Sequence, residues 1–284
     1  MRTTCAGAPL ELDDDLLVAG DNLPAMAALP AGTFDMAYLD PPFNTGVQRR
    51  RGALGYEDAF GDYRAFLEPR LRRVRELLAP HGTLYLHLDY REAHRAKLLL
   101  DEVFGGQCFL NELIWIYDYG GRPKRRWPAK HDTILVYVRD LERYHFDDAE
   151  VAREPYMAPG LVGPEKAARG KRPSDCWWHT IVPTNSREKT GYPTQKPEGI
   201  VRRMVAASSR PGGWCLDPFA GSGTLGAVCR ALGRRFVLVD SNPEAIAVTR
   251  ARLERGVTRG GGAQRSSSAV AASARSPATT SGGG

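Results

Sequence analysis

Short apolar runs alternate with amphipathic stretches along most of the chain. Apolar runs that stop at Gly, Pro or Asp are typical of buried strands, and apolar residues three or four apart are typical of helices. Strand-like runs cover 15–19, 34–39, 83–88, 110–117, 133–138, 214–216 and 236–239, and helical spacing covers 22–29, 62–78, 91–104, 197–208 and 243–254. This alternation predicts an α/β fold with a doubly wound, mostly parallel sheet.

Three stretches break the alternation. Residues 44–61 are rich in Gly and Arg and are predicted to form a long loop. Residues 139–191 carry five prolines and Trp177-Trp178, which predicts an inserted subdomain rather than more sheet. After Gly256 the chain is Gly, Ser, Ala and Arg without a period, so we expect disorder there. The predicted units are therefore 1–138, the insert 139–191, 192–256 and the tail 257–284.

Composition narrows the class of protein. The 284 residues are 42% hydrophobic and 25% charged, as expected for a globular chain with a full core. The net charge of +6 and a pI near 9.1 favour an acidic polymer as partner. Five scattered cysteines without a C-x-x-C pair argue against a zinc site or a disulfide framework and favour a reducing cytoplasm. No apolar stretch is long enough to span a membrane.

Asp40-Pro41-Pro42-Phe43 directly follows the apolar run 34–39. Prolines cannot continue a strand's hydrogen-bond ladder, so the chain leaves the sheet at Asp40. A carboxylate, stiff backbone carbonyls and an aromatic ring then lie at the carboxyl edge of the sheet, where open α/β folds bind ligands. Taken alone, the tetrapeptide fits a structural Pro-Pro loop with a capping aspartate equally well.

A second constellation follows a later strand and opens a helix. Residues 217–224 form a loop of small residues that lets a ligand approach the backbone, and helix N-terminal amides favour anionic groups. The loop is neither a Walker A loop nor a full G-x-G-x-x-G fingerprint. Asp240 ends the next strand, where an acidic residue typically binds a ribose diol. The pair predicts a nucleoside-bearing ligand without a pyrophosphate; the alternative is a structural turn with a surface aspartate.

The two motifs together resemble a known family. Asp217-Pro-Phe-Ala-Gly-Ser-Gly-Thr224 is similar to the S-adenosylmethionine loop of the amino-methylating DNA methyltransferases, and Asp40-Pro-Pro-Phe43 is similar to their catalytic motif. The catalytic motif comes first, as in the permuted β class. Further matches lie at 20–22, 82–89, 131–135 and 192–197. The resemblance spans about residues 10–255, except much of 140–190, and implies a circularly permuted seven-stranded sheet with a target-recognition insert.

The resemblance implies methyl transfer to an exocyclic base amine without a metal. The Asp40 carboxylate and the Pro41 carbonyl would accept the two N–H groups of that amine. Pro42 would stiffen the loop, and Phe43 would stack on a base flipped out of the duplex. His87 is interpreted as a satisfied core or rim residue rather than a catalytic one.

The resemblance also assigns the cofactor site. Asp240 would bind the ribose hydroxyls and Asp21 the adenine amine. Asp217 would reach the methionine amino group or only cap the turn. The methionine part would face the loop residues Phe219, Ala220, Gly221, Ser222, Gly223 and Thr224, together with Thr194 and Lys196, the latter a natural partner for a carboxylate.

Residues 120–130 form a basic loop that contains one tryptophan and no acid. Such a run favours contact with DNA phosphates, and the tryptophan suits an aromatic wedge at the flipping site. The alternative is a mobile charged hairpin. The residues assigned to double-stranded DNA are Arg122, Lys124, Arg125, Arg126, Trp127 and Lys130.

The target base is the remaining choice. An Asp at the first position of the catalytic motif is commoner among adenine-N6 enzymes, so adenine is predicted. Cytosine-N4 methylation, a catalytically silent DNA-binding relative, and a protein-glutamine or RNA methyltransferase are the alternatives. The recognised sequence, a restriction endonuclease partner and a homodimer are left open.

Overall fold

Nine strands form one mixed sheet in the computed structural model, which describes residues 1–7, 10–46, 49–51, 54–56 and 58–259. Side chains of 49–51, 54–56 and 256–259 lie outside the description. The elements in chain order are β1 (Arg2–Cys5), β2 (Leu16–Ala19), α1 (Asn22–Ala27), β3 (Phe34–Leu39), β4 (Arg49–Arg51), β5 (Leu54–Tyr56), α2 (Tyr63–Leu77), β6 (Leu78–Leu88), α3 (Ala93–Phe104), β7 (Phe109–Ile116), β8 (His131–Val138), α4 (Pro164–Arg169), β9 (Cys176–Trp178), α5 (Glu198–Ser208), β10 (Trp214–Asp217), α6 (Thr224–Ala231), β11 (Arg235–Asp240) and α7 (Pro243–Arg259). Short 3₁₀ turns cover Gly106–Cys108 and Pro159–Leu161.

The strand order is β1-β2-β11-β10-β3-β6-β8-β7-β9. The six strands from β1 to β6 in this order are parallel, β8 runs antiparallel to β6 and β7, and β9 runs parallel to β7. Side chains alternate between the two faces of a strand, so each face of this sheet needs its own apolar cover. Helices α1 to α3 pack in one buried cluster and α5 to α7 in the other. The predicted α/β, doubly wound, mostly parallel architecture is confirmed.

The sheet is wider than the seven strands expected from the resemblance. All seven apolar runs of the sequence form strands, and β1 and β9 extend the sheet at its two edges. β1 has the sequence Arg-Thr-Thr-Cys and β9 only three residues, so neither carries a strand pattern long enough to detect.

The insert 139–191 is less separate than predicted. Trp177 pairs with Trp115 in the register of β9 and β7, and its ring is buried in the cluster that covers one face of the main sheet. The prediction of no further sheet was therefore wrong for 176–178, while Trp178 is largely exposed. The prediction of a structureless loop over 44–61 was also wrong, because β4 and β5 pair as an antiparallel hairpin.

Helix α7 extends to Arg259, past the expected end of the folded chain at 256. The rest of the predicted disordered tail, 260–284, lies outside the described residues. The unit boundaries, the permutation and the recognition role of the insert stay predictions. No helix of the described chain is both long and apolar enough to cross a bilayer.

Candidate active site

Five neighbouring parallel strands each lead into an aspartate at their carboxyl ends. In sheet order β2 leads into Asp21, β11 ends at Asp240, β10 at Asp217, β3 leads into Asp40 and β6 into Asp89. Because parallel strands end at one edge, the five carboxylates collect at that edge, the usual ligand-binding side of such sheets. A cavity of about 1400 Å³ opens there.

The cavity brings together most of the residues predicted from the sequence. Its walls include Asp21, Asp40, Pro41, Pro42, Phe43, Arg122, Arg126, Thr194, Lys196, Asp217, Phe219, Ala220, Gly221, Ser222, Thr224 and Asp240. The predicted residues that do not line it are Gly223, Lys124, Arg125, Trp127 and Lys130.

The Asp40 loop is held by its neighbours on both sides. The Tyr63 hydroxyl donates to the carbonyl of Pro42 at 2.8 Å. The Phe43 ring lies 5.9 Å from the imidazole of His87, centroid to centroid. Lys196 Nζ lies 2.6 Å from each oxygen of Asp40, so the lysine expected at a ligand carboxylate pairs here with the carboxylate of the catalytic motif.

Asp240 fixes the glycine loop from the neighbouring strand. Its two oxygens accept the backbone N–H groups of Gly221 and Asn242, both at 2.8 Å. Burial raises the pKa of this carboxyl above its ordinary value, and the backbone donors oppose that shift. Gly223 has φ +71°, and a Cβ there would lie 2.7 Å from Thr249 Cγ2, so this turn requires glycine.

Asp217 is the most deeply buried of the five carboxyls. It accepts the N–H of Phe219 at 2.9 Å, which caps the turn as one of the two predicted roles requires. Burial raises its pKa well above the ordinary value, and the negative charges of Asp40 and Asp240 raise it further, while Lys196 opposes them.

Asn22 and Arg70 were missed by the sequence analysis. Asn22 donates to the Pro218 carbonyl at 2.9 Å and accepts from Arg70 Nε at 2.7 Å, linking α1, α2 and the glycine loop. Arg70 also approaches Asp21 at 3.4 Å, while Asp21 accepts the N–H of Leu23 and caps α1. The available signal was the position of Arg70 on the apolar face of α2, between Leu67 and Leu71.

A buried hydrogen-bonded chain lies under the Asp40 loop. The Tyr38 hydroxyl contacts His87 Nδ1 at 2.8 Å, His87 Nε2 contacts Asp132 Oδ2 at 3.1 Å, and the Tyr117 hydroxyl donates to Asp132 Oδ1 at 2.9 Å. Burial acts to raise the pKa of Asp132, but the His87 and Tyr117 hydrogen bonds and the nearby charges lower it overall. His87 is fully buried with both ring nitrogens engaged, as a core residue would be.

The basic loop extends from the rim of the cavity. Lys124, Arg125, Arg126 and Trp127 are exposed, Trp127 to 95%. Arg122 pairs with Asp118 at 2.6 Å, and Lys130 donates to the carbonyls of Tyr119 and Gly120 at 2.7 and 2.8 Å. Two of the six predicted DNA-contacting residues therefore also stabilise the loop itself.

The cavity suits S-adenosylmethionine. This molecule carries ribose hydroxyls, an adenine amine, an ammonium and a sulfonium, and the three carboxylates of Asp21, Asp217 and Asp240 complement that set of donors and positive charges. The left-handed glycine turn permits close backbone approach. Within the described residues no group of three or more His, Cys, Asp or Glu could hold a metal ion.

Comparisons with known proteins agree with this geometry. A model of the DNA methylase family N6_N4_Mtase matches residues 34–251, more than half of the chain. The type II methyltransferase M.HpaI of Haemophilus parainfluenzae is 30% identical over 243 residues, which cover 85% of this chain and 74% of the relative. The DNA adenine methyltransferase YhdJ of Escherichia coli strain K12 is 30% identical over 263 residues, 89% of this chain and 87% of the relative.

Solved structures share the fold. The cytosine-N4-specific PvuII DNA methyltransferase superposes with a TM-score of 0.62 at 16% identity, over 85% of this chain and 89% of its own. TTHA0409 of Thermus thermophilus, described as a DNA modification methylase and complexed with S-adenosyl-L-methionine, gives 0.57 at 21% identity, over 86% and 96%. The length of the family match and the identity to M.HpaI establish the relationship: the chain belongs to the N6/N4 family of DNA methylases.

Proposed function

We propose that this protein is a site-specific DNA methyltransferase that moves a methyl group from S-adenosylmethionine to the N6 amine of an adenine flipped out of double-stranded DNA. The observation that carries the proposal is the shared cavity. The Asp40-Pro-Pro-Phe43 loop and the cradle between Asp217 and Asp240 open into the same space from neighbouring strands.

The catalytic loop would orient a weak nucleophile. The lone pair of an exocyclic amine is conjugated with the base, and acceptors on its two N–H groups favour a tetrahedral nitrogen. The Asp40 carboxylate and the Pro41 carbonyl supply such acceptors, and Phe43 offers a face for the flipped base. Because the Pro42 carbonyl already accepts from Tyr63, the loop is positioned before a base enters.

Bound S-adenosylmethionine supplies an electrophilic methyl carbon on a sulfonium. The amine lone pair forms the new N–C bond as the S–C bond breaks, the bonding pair stays on sulfur, and the amine then releases one proton. Asp40 acts here by hydrogen bonding and by its charge rather than as a nucleophile.

The cofactor assignments follow from the cradle. Asp240, anchored by Gly221 and Asn242, would bind the ribose hydroxyls, and Asp21 at the start of α1 would meet the adenine amine. Asp217 would face the ammonium and the sulfonium, whose positive charges favour its ionised form. Thr194 and the loop 219–224 would enclose the methionine part.

Duplex DNA would lie across the mouth of the cavity. The exposed cations Lys124, Arg125 and Arg126 suit contacts with phosphates, which fix the position of the duplex without selecting its sequence. Trp127, almost fully exposed beside them, could fill the space left by the flipped base. The insert 139–191 is the proposed recognition region.

The test is to methylate duplex DNA, digest it to nucleosides and identify the product by mass spectrometry. N6-methyladenine is expected, in line with the relative named as an adenine methyltransferase. N4-methylcytosine alone would replace adenine by cytosine in the proposal, as in the fold neighbour named cytosine-N4-specific.

The Asp40→Ala variant separates an enzyme from a silent binding protein. DNA and cofactor binding should persist while methyl transfer is lost. A wild-type protein that neither binds the cofactor nor transfers methyl groups would favour the silent relative. We extend the proposal to a cognate restriction endonuclease, because several relatives are named type II methyltransferases, and to a reducing cytoplasm, because all five cysteines are free thiols.

A further inference from the structure

Lys196 and Asp40 form an ion pair across the cavity although 156 positions separate them in the sequence. The ammonium lies 2.6 Å from both carboxylate oxygens and 4.8 Å from the centre of the Phe43 ring. Both side chains are shielded, with 9% of Lys196 and 18% of Asp40 exposed. The pair thus joins the catalytic loop to the segment 192–197, which sequence reasoning assigned to the cofactor.

The backbone of Lys196 is anchored independently of its ammonium group. Its carbonyl accepts the Thr224 hydroxyl at 3.1 Å, and the same hydroxyl accepts from Arg252 Nη1 at 3.0 Å. The stem of the lysine is therefore fixed to the glycine loop, while the flexible side chain spans to Asp40. A long side chain on a fixed backbone can change its contact at the tip without moving the loop.

The charges around the pair require a cation at this place. Asp40, Asp217 and Asp240 end three adjacent strands, and the repulsion from Asp40 and Asp240 helps to raise the pKa of Asp217. Lys196 opposes that repulsion. A shielded carboxylate with no counter-ion is costly, and charge-assisted hydrogen bonds are stronger than neutral ones.

The amine of the target base needs at least one oxygen that Lys196 now occupies. An ionised carboxylate offers about four acceptor sites on its two oxygens, so it can hold an ammonium and an amine together. The amine can be accommodated if the ammonium moves toward one oxygen and leaves the other to the base.

We propose that Lys196 is a positioning residue for methyl transfer, which holds the Asp40 carboxylate in its working orientation and yields one of its oxygens to the target amine. This inference rests on the proposed function. Lys196 stays protonated throughout and transfers no proton. Its main contact is thus the catalytic carboxylate, whereas the sequence motif had suggested the carboxylate of the cofactor.

The experiment compares Lys196→Met, Lys196→Arg and wild type in three measurements: cofactor Kd by calorimetry, DNA Kd, and the single-turnover methylation rate with both ligands saturating. For Lys196→Met we expect a rate loss of about 100-fold or more, the scale found when one preorganised charge contact is removed from an active site. The cofactor Kd should change less than about threefold. Lys196→Arg, which can still pair with Asp40, should recover part of the rate.

Lys97→Met is the matched control. Lys97 makes the same two-oxygen contact with Asp101, at 2.9 and 2.7 Å, on α3 and away from the cavity walls. Loss of that pair should leave the saturated rate unchanged. Lys196→Gln takes the place of Lys196→Met if thermal melting shows that the latter fails to fold.

A double-mutant cycle with Asp40→Asn provides a second test. If Lys196 acts through the Asp40 charge, removing the lysine in the Asp40→Asn background should cost the residual rate much less than it costs wild type. A cofactor Kd raised more than about tenfold with a normal saturated rate would make Lys196 a cofactor ligand and overturn the inference, as would fully additive effects. A wild type without methylation activity would instead overturn the proposed function.

Discussion

Arg252 Nη1 in the last helix donates to Thr224 Oγ1 at 3.0 Å, although the two residues lie on different helices. The same guanidinium donates to the carbonyl of Ser222 at 3.1 Å and to Glu198 at 2.7 Å. One buried arginine thus ties α5, the glycine loop and α7 together behind the cofactor cradle. The pocket-facing loop is rigid because its far side is bonded to two helices.

Arg252→Met should loosen this loop. We expect the free energy of unfolding to fall by about 2–3 kcal/mol, less than for a fully buried ion pair because a third of the Glu198 side chain is exposed. The cofactor Kd should rise as well. Urea unfolding and calorimetry measure the two effects. Arg250→Met, an exposed arginine on the same helix, is the control and should change neither.

Gly223→Ala should destabilise the cradle more than an ordinary Gly→Ala change. A left-handed φ costs a non-glycine residue about 1–2 kcal/mol, and the new Cβ would clash with Thr249. Gly233→Ala separates the two effects, because Gly233 has a similar φ of +68° with nothing within 4 Å of a Cβ. Thermal or urea unfolding should show the larger loss at Gly223, and equal losses would contradict the steric argument.

Cofactor binding should strengthen as the pH rises. Burial and the charges of Asp40 and Asp240 raise the pKa of Asp217, so the empty site holds a proton there over a wider pH range than an ordinary carboxyl. A bound cation favours the ionised form, binding therefore releases a proton, and the Kd falls with rising pH up to the raised pKa. The limit is about tenfold per pH unit for one proton.

Calorimetry in buffers of different ionisation enthalpy measures the proton released on binding. The Asp217→Asn variant should show a smaller pH dependence, with the remainder assigned to Asp240, whose pKa is also raised. Proton uptake, or an affinity independent of pH in wild type, would contradict the assignment.

The basic loop should contribute to DNA affinity through charge. Lys124→Ala, Arg125→Ala and Arg126→Ala should each weaken binding to any duplex and lower the slope of log K against log salt by about one per lost phosphate contact. Fluorescence anisotropy at several salt concentrations measures both quantities. Arg250→Ala is the charge-matched control, and equal effects there would indicate only a loss of net charge.

Much of the site follows from local pattern. The apolar runs located seven strands, and the acids that end them could be placed at one edge because parallel strands share a direction. Asp40, Asp217 and Asp240 line one cavity for that reason. The edge strands β1 and β9 escaped detection because short or polar strands depend on a neighbour for their stability rather than on their own apolar period.

The sequence by itself determined the α/β class, the order of the two motifs and the carboxylates that face the ligand. Only the tertiary structure decided that Lys196 meets Asp40, that Arg70 supports Asn22, and that Arg252 locks the glycine loop. These contacts join residues 156, 48 and 28 positions apart. Each depends on which strands and helices become neighbours, and hydrophobic periodicity specifies the face that an element buries but not the partner that covers it.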